Sequence, residues 1–305
     1  MGALEEIGEA FGRVAEHVGP SIVGIGDGWA RGSGVIVAEG KVLTNAHNLR
    51  RGEATVVFAD GRSATGTVSG VDADGDLAVV SVDTGPAAPI GWGDDGGSPG
   101  SAVFAVSNPG GRGVQVTVGF VAGSSRAFRG PRGRKIAGTI EHTAPLARGS
   151  SGSAIVDADG RFVGLNTNRL GEGFYAAIPA DASLRARVDA LVRGESVARP
   201  RLGVGVAPGH VARHLRRAVG LPERDGLLIR TVEEGGPADR AGIKGGDLLV
   251  EAGGRAVASV DDLWAALDAA EGALDVRVVR GTEERAVALS FGNGATAPAA
   301  ATGEA

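Results

Sequence analysis

The chain has 305 residues, and 53 glycines and 13 prolines make up more than a fifth of it. That excludes a helix bundle or long coiled coil, where each interior glycine costs about 1 kcal/mol. A net charge of −5 argues against a nucleic-acid groove, and the lack of cysteine excludes disulfides, thiolate metal centres and a cysteine nucleophile.

Leu4, Ile7, Phe11, Val14 and Val18 recur at steps of three and four, which predicts an amphipathic helix over 3–18, ended by Pro20. Glu5, Glu6, Glu9 and Arg13 interrupt this stretch, so it has no signal-peptide core. No apolar run approaches the ~18 residues of a membrane span. The expected location is therefore cytoplasmic, although an exported protein trimmed to Met1 would read the same.

From Ser21 to about Ala180 the text becomes short β-branched runs separated by turn residues. Examples are Ile22–Ile25, Gly34–Val37, Ala54–Phe58 and Leu77–Val80, then 102–106, 114–118, 154–156, 162–165 and 174–178. Strands this close together, with no long helix between them, predict an all-β sandwich or a pair of barrels. Helical periodicity returns at 182–192, followed by a linker at 194–200. The segment 201–291 mixes strands at 227–232, 248–251, 274–280 and 286–291 with helices at 237–241 and 260–271, which suits one α+β module. The expected divisions are a helix over 1–19, a β domain over 20–195, a linker and module over 196–292, and a disordered tail over 293–305.

The sharpest local signal is Gly149-Ser150-Ser151-Gly152. Glycines flanking a serine allow a tight turn with backbone N–H groups pointing into one pocket, as an oxyanion hole requires. His47 stands just beyond the apolar run ending at Leu43-Thr44, and Asp76 directly precedes Leu77–Val80. The chain order His47, Asp76, Ser151 suits a nucleophilic triad: the imidazole takes the serine proton and returns it to a leaving amine, while the carboxylate fixes the tautomer. Asp72 and Asp74 precede a turn and are expected to be solvated. His142, nine residues before Ser151, is expected at a pocket wall or on the surface. His210 and His214 stand four apart on a helix without the glutamate of a zinc-protease motif, so they are read as solvated, and neither metal nor cofactor is expected.

Thr44-Asn45-Ala46-His47, Asp76-Leu77-Ala78-Val79 and Gly149-Ser150-Ser151-Gly152 together resemble the histidine, aspartate and nucleophile motifs of the HtrA family of trypsin-like serine proteases. Gly32–Val35, Ser107–Gly110, Val118–Val121 and Tyr175–Pro179 extend the match over about residues 10–290. The resemblance implies a mainly β fold: a chymotrypsin/trypsin-like double six-stranded antiparallel β-barrel followed by an α+β PDZ domain. It implies an ATP-independent serine endopeptidase acting on unfolded or exposed polypeptides, the alternative being a non-catalytic peptide-binding or chaperone-like protein that keeps the protease fold.

By the same matching, Gly149, Ser150 and Ser151 supply the oxyanion hole, and Pro145, Leu146, Ala147, Asn166 and Asn168 wall the S1 pocket. Neither wall holds a carboxylate, so a small or medium aliphatic P1 residue is expected, with Arg148 or Arg169 selecting an acidic one as the opposing reading. Arg201-Leu202-Gly203-Val204 resembles the carboxylate-binding loop of HtrA-type PDZ domains, with Arg201 in place of an aromatic residue, either attracting the carboxylate or simply exposed. C-terminal peptides are the expected partners there. Arg126–Lys135 reads as a solvated basic loop, or as the family's sensor loop. The family also implies a homotrimer built on N-terminal aromatic contacts, for which Phe11 is the candidate. Ser150, Ser153, Ala154, Arg148 and Asn48 depart from the family pattern, and none removes a catalytic atom.

Overall fold

A computed structural model describes residues 2–26, 32–49, 52–93, 97–130, 135–171, 173–196 and 200–291. The chain forms two compact units, divided between Val197 and Ala198.

The first unit opens with α1 (Ala3–Val18), whose Val14 and Val18 are 1% exposed. Phe11 on the same helix packs edge-to-face on Phe104, with ring centroids 5.3 Å apart, so this aromatic ring is spent inside the chain. Six strands then close a barrel in the order β1-β2-β3-β6-β5-β4. They are β1 (Ile22–Ile25), β2 (Gly32–Ala38), β3 (Lys41–Thr44), β4 (Glu53–Val57), β5 (Ser63–Asp72) and β6 (Leu77–Ser81). A second barrel closes in the order β10-β11-β12-β9-β8-β7. Its strands are β7 (Ala102–Ser107), β8 (Gln115–Arg129), β9 (Lys135–His142), β10 (Ala154–Val156), β11 (Phe162–Gly171) and β12 (Phe174–Pro179).

Alternating β-branched side chains fill each barrel: Val23, Ile36, Val42 and Val80 in the first, Val103, Val121, Ile140 and Ile155 in the second. A third cluster joins α1, both barrels and α2 (Ala182–Val192) through Val18, Leu43, Val106 and Leu184. Helix α2 starts where the Asp181 carboxylate accepts the Leu184 N–H at 2.9 Å.

The basic stretch expected as a loop is partly strand. β8 runs on to Arg129 and pairs with β9 from Lys135, because two long antiparallel strands satisfy backbone groups that a loop would leave to water. Residues 131–134, with Arg132 and Arg134, lie outside the described residues, as does the tail from 292.

The second unit is a sheet in the order β13-β14-β15-β17-β18. Its strands are β13 (Val204–Ala207), β14 (Leu227–Val232), β15 (Leu248–Ala252), β16 (Arg255–Ala256, on the β15 edge), β17 (Ala273–Arg280) and β18 (Glu283–Ser290). Its helices are α3 (Gly209–Ala218), α4 (Pro237–Arg240) and α5 (Val260–Asp268). Helix α3 carries the expected pair, and both His210 and His214 are exposed. Arg280 grips Asp247 with two bonds of 2.7 Å and reaches the Gly242 carbonyl at 2.9 Å, tying the β17 end to the turn before β15.

Candidate active site

His47 lies in a single helical turn after β3, and Asp76 immediately precedes β6. Strands β3 and β6 are paired, so the two residues leave neighbouring strands side by side. The Asp76 carboxylate accepts His47 Nδ1–H at 2.8 Å and the His47 backbone N–H at 3.1 Å. It also accepts Thr167 Oγ1–H at 2.9 Å. The Asp76 carbonyl in turn accepts Asn45 Nδ2–H at 3.0 Å. Asp76 is 1% exposed, so its charge is compensated by these donors rather than by water. With Nδ1–H committed to Asp76, the lone pair of His47 Nε2 is left to act as a base.

Ser151 sits in the loop between β9 and β10, and both barrels stitch that loop down. Its carbonyl accepts Ser33 N–H from β2 at 2.8 Å and Asn48 Nδ2–H at 2.9 Å. Ser33 Oγ–H donates to the Gly149 carbonyl at 2.9 Å. From β11, the Asn166 carbonyl accepts Gly152 N–H at 2.8 Å, and Asn166 Nδ2–H donates to Ser153 Oγ at 2.9 Å. The Ser151 hydroxyl itself donates to the Thr167 carbonyl at 3.3 Å, so proton transfer to His47 requires a turn about χ1 of Ser151.

The Gly149 and Ser151 N–H groups have no acceptor among the described residues. Ser150 does not join them. Its N–H is used by the Ala147 carbonyl at 3.2 Å and its hydroxyl by Ser107 at 3.2 Å, because the turn closes on that side.

These residues line a cleft of about 560 Å³ together with Leu146, Ala147, Arg148, Asn166, Asn168 and Arg169. Among the described lining residues Asp76 is the only carboxylate, and it is paired with His47. Pro145 falls outside it, exposed, with its carbonyl accepting Thr117 Oγ1–H at 2.7 Å. Arg169 lies over the Tyr175 ring at 5.5 Å.

Two expectations are corrected. His142 is 0% exposed and stands behind the wall, stacked on Tyr175, with Nε2–H donated to Asn166 Oδ1 at 2.8 Å. Burial pushes its pKa down to about 4 against the raising effect of that bond, so it is neutral. Asp72 and Asp74 are buried, at 0% and 6% exposure, because α2 packs over their turn. Sequence reasoning missed Ser33, Asn45, Asn48 and Thr167 as supports of the candidate triad. Asn45 stood inside the histidine motif and was legible there, whereas Thr167 carried no signal of its own.

In the second unit β13 is an edge strand, bonded to β14 on one side. Leu202 is 3% exposed, and the Leu202 and Gly203 carbonyls accept N–H groups of Ala238 and Glu233 at 2.9 and 2.8 Å. Gly203 has φ +74°. Val204 and Val206 pack against the cluster that holds Leu263 and Leu267 of α5. Arg201 is exposed and pairs with Glu233 at 2.9 Å.

Residues 32–165 match the family model of the trypsin-like peptidase domain, and residues 228–280 that of the PDZ domain. A Brucella suis protein named "Probable periplasmic serine endoprotease DegP-like" is 34% identical over 253 residues, 77% of this chain and 46% of that protein. A Rhizobium meliloti protein of the same name is 33% identical over 291 residues, 90% of this chain and 56% of its own. The chain thus spans about half the length of the curated relatives it matches. Those names give the periplasm, and no comparison supports the cytoplasmic expectation; among the described residues, no helix is long and apolar enough to cross a membrane. Among solved structures, the HtrA-type protease AlgW with a decapeptide aligns at TM-score 0.63 and 23% identity, covering 92% of this chain and 97% of that one. A serine endoprotease from Yersinia pestis aligns at TM-score 0.60 and 25% identity, covering 92% and 96%. Two six-stranded barrels with paired histidine and aspartate, joined to a PDZ module and matched by these relatives, place the chain in the HtrA family of trypsin-like serine proteases.

Proposed function

We propose that the chain is a serine endopeptidase that hydrolyses unfolded or exposed polypeptides, with Ser151 as nucleophile, His47 as general base and acid, and Asp76 as orienting carboxylate. The single observation that carries this is the His47–Asp76 pair, buried on the carboxylate side and open at Nε2, sharing one cleft with Ser151. In this mechanism His47 Nε2 takes the Ser151 proton as Oγ attacks the carbonyl carbon. The new oxyanion is received by the N–H groups of Gly149 and Ser151, each such donor being worth about 3 kcal/mol in related chemistry. Imidazolium then protonates the leaving amine, and water repeats the sequence on the acyl-enzyme.

The Leu146 wall and the lack of a free carboxylate among the described lining residues favour a small or medium aliphatic P1 residue. Profiling cleavage sites on an unfolded protein tests this, and a dominant Asp/Glu or Lys/Arg at P1 rejects it. Residues 20–195 form the protease domain and 196–292 the PDZ domain. In the latter, an extended C-terminal peptide adds to the free edge of β13, its carboxylate at the Arg201-Leu202-Gly203-Val204 loop and its apolar side chain beside Val204 and Val206. The relatives' names favour the periplasm over the cytoplasm. The family's homotrimer is the proposed assembly, to be read by sedimentation equilibrium, but Phe11 is already packed on Phe104.

The deciding experiment is labelling with a fluorophosphonate and cleavage of casein, with Ser151→Ala and His47→Ala as controls. A wild-type chain that neither labels nor cleaves, with the PDZ domain present or removed, leaves the chaperone-like alternative. Labelling untouched by His47→Ala rejects the triad assignment.

A further inference from the structure

Asp76 is the one non-glycine residue with positive φ among the described residues, at +54°. Its place in the chain accounts for this. Asp72 on β5 is paired with Leu77 on β6, so residues 73–76 form a four-residue hairpin loop and Asp76 completes the reversal. Glycine or asparagine would hold that backbone more easily, and an aspartate kept there is strained unless its surroundings over-determine it.

The surroundings are specific. Asp72, 0% exposed, accepts Gly75 N–H at Oδ1, 2.8 Å away. Its Oδ2 accepts Arg187 Nε–H at 3.1 Å and Nη2–H at 2.7 Å. The same Nη2 reaches the Gly75 carbonyl at 3.4 Å. A Cβ on Gly75 would overlap both the guanidinium and the carboxylate, so only glycine threads between them. The Gly75 carbonyl and the Asp76 N–H belong to one peptide plane. Holding that carbonyl therefore sets the direction in which the chain enters Asp76.

We propose that Arg187, reaching from α2, and Asp72 are a positioning pair that clamps the Gly75–Asp76 peptide and so holds the Asp76 carboxylate against His47 Nδ1. This rests on Asp76 being the triad acid. A merely structural ion pair predicts something else: replacing a buried pair by neutral residues of similar volume is often harmless to stability, and it would leave turnover alone.

The test is the double variant Arg187→Met/Asp72→Asn in the full chain, which removes both charges without stranding either and leaves an amide oxygen for Gly75 N–H. Rates are normalised to the sites titrated by fluorophosphonate. The expected result is a fall in kcat of at least about tenfold with KM unchanged within about twofold, since a small misplacement of a catalytic group costs that much or more. The low-field proton resonance of His47 Nδ1–H moves or broadens in parallel. Arg187→Lys, which retains the cation but not the fork, lies between Arg187→Met and wild type in kcat. A folded double variant with wild-type kcat and an unmoved resonance overturns the proposal. So does a rate loss that vanishes on normalisation. Wild-type protein that does not label, or Asp76→Asn with undiminished kcat, removes the triad reading itself and the proposal with it, whatever the Arg187 variants do.

Discussion

Gly152→Ala probes the seam where the nucleophile loop meets the first barrel. Gly152 has φ +84°, and an added Cβ would overlap the Ser33 carbonyl oxygen and lie 2.6 Å from Thr44 Oγ1. The left-handed backbone alone costs alanine about 1–2 kcal/mol. Relieving the overlap moves Ser33 or the loop, and with it the Ser33 N–H bond to the Ser151 carbonyl at 2.8 Å and the Thr44 Oγ1–H bond to the Ser33 carbonyl at 2.7 Å. Each is worth about 1 kcal/mol. The total is roughly 3–4 kcal/mol, or roughly 6–16 °C in Tm for a unit of this size. The same shift displaces Ser151 from His47, and a displacement of about 1 Å costs on the order of 100-fold in rate. Scanning calorimetry of the Gly152→Ala chain and hydrolysis of a fluorogenic peptide read the two effects. A variant that melts within about 1 °C of wild type and cleaves within about twofold of it would refute the account of this seam.

Asp76→Asn should label slowly and lose about 10⁴-fold in kcat, because the amide can favour the wrong His47 tautomer, as steady-state kinetics will report. Thr167→Val removes the 2.9 Å bond to Asp76, and about a tenfold lower kcat with KM unchanged is expected. Because the pKa of His142 falls to about 4 in the fold, the unfolded chain takes up its proton first on acidification. This residue's contribution to stability is complete above about pH 6.5 and declines by up to roughly 3 kcal/mol towards pH 4. In His142→Gln that part of the slope should be missing from urea unfolding between those values. Arg280→Met leaves the Asp247 carboxylate, 1% exposed, without its guanidinium and should lower the urea midpoint of the second unit.

His47, Asp76 and Ser151 were legible because each carries its context beside it in the chain: a strand end, a strand start, a glycine-flanked turn. What surrounds them was not, since those contacts come from distant segments. Asp72-Ala73-Asp74-Gly75 has the composition of an exposed turn, and nothing local announces that α2, more than a hundred residues on, will cover it and insert Arg187. Ser150 reads as an oxyanion donor by position, but the turn spends its N–H on Ala147. Arg126–Lys135 reads as loop by its arginines and glycines, yet pairing with β9 recruits Arg126–Arg129 into a strand. His142 was misread for a related reason: it ends β9 and is polar, but Tyr175 and Asn166 from two other strands enclose it.

The stitching of Ser151 to Ser33 and Asn48 has a consequence for how such a chain is made. Residues 33 and 48 leave the ribosome about a hundred positions before Ser151, and the first barrel carries His47 and Asp76, whereas Thr167 and Arg187, which reach Asp76 and the Gly75 carbonyl before it, come after Ser151. Until the second barrel forms and docks, no serine stands before that histidine, and the oxyanion donors have no fixed direction. On the proposed mechanism, competence is thereby tied to the meeting of the barrels rather than to the folding of either.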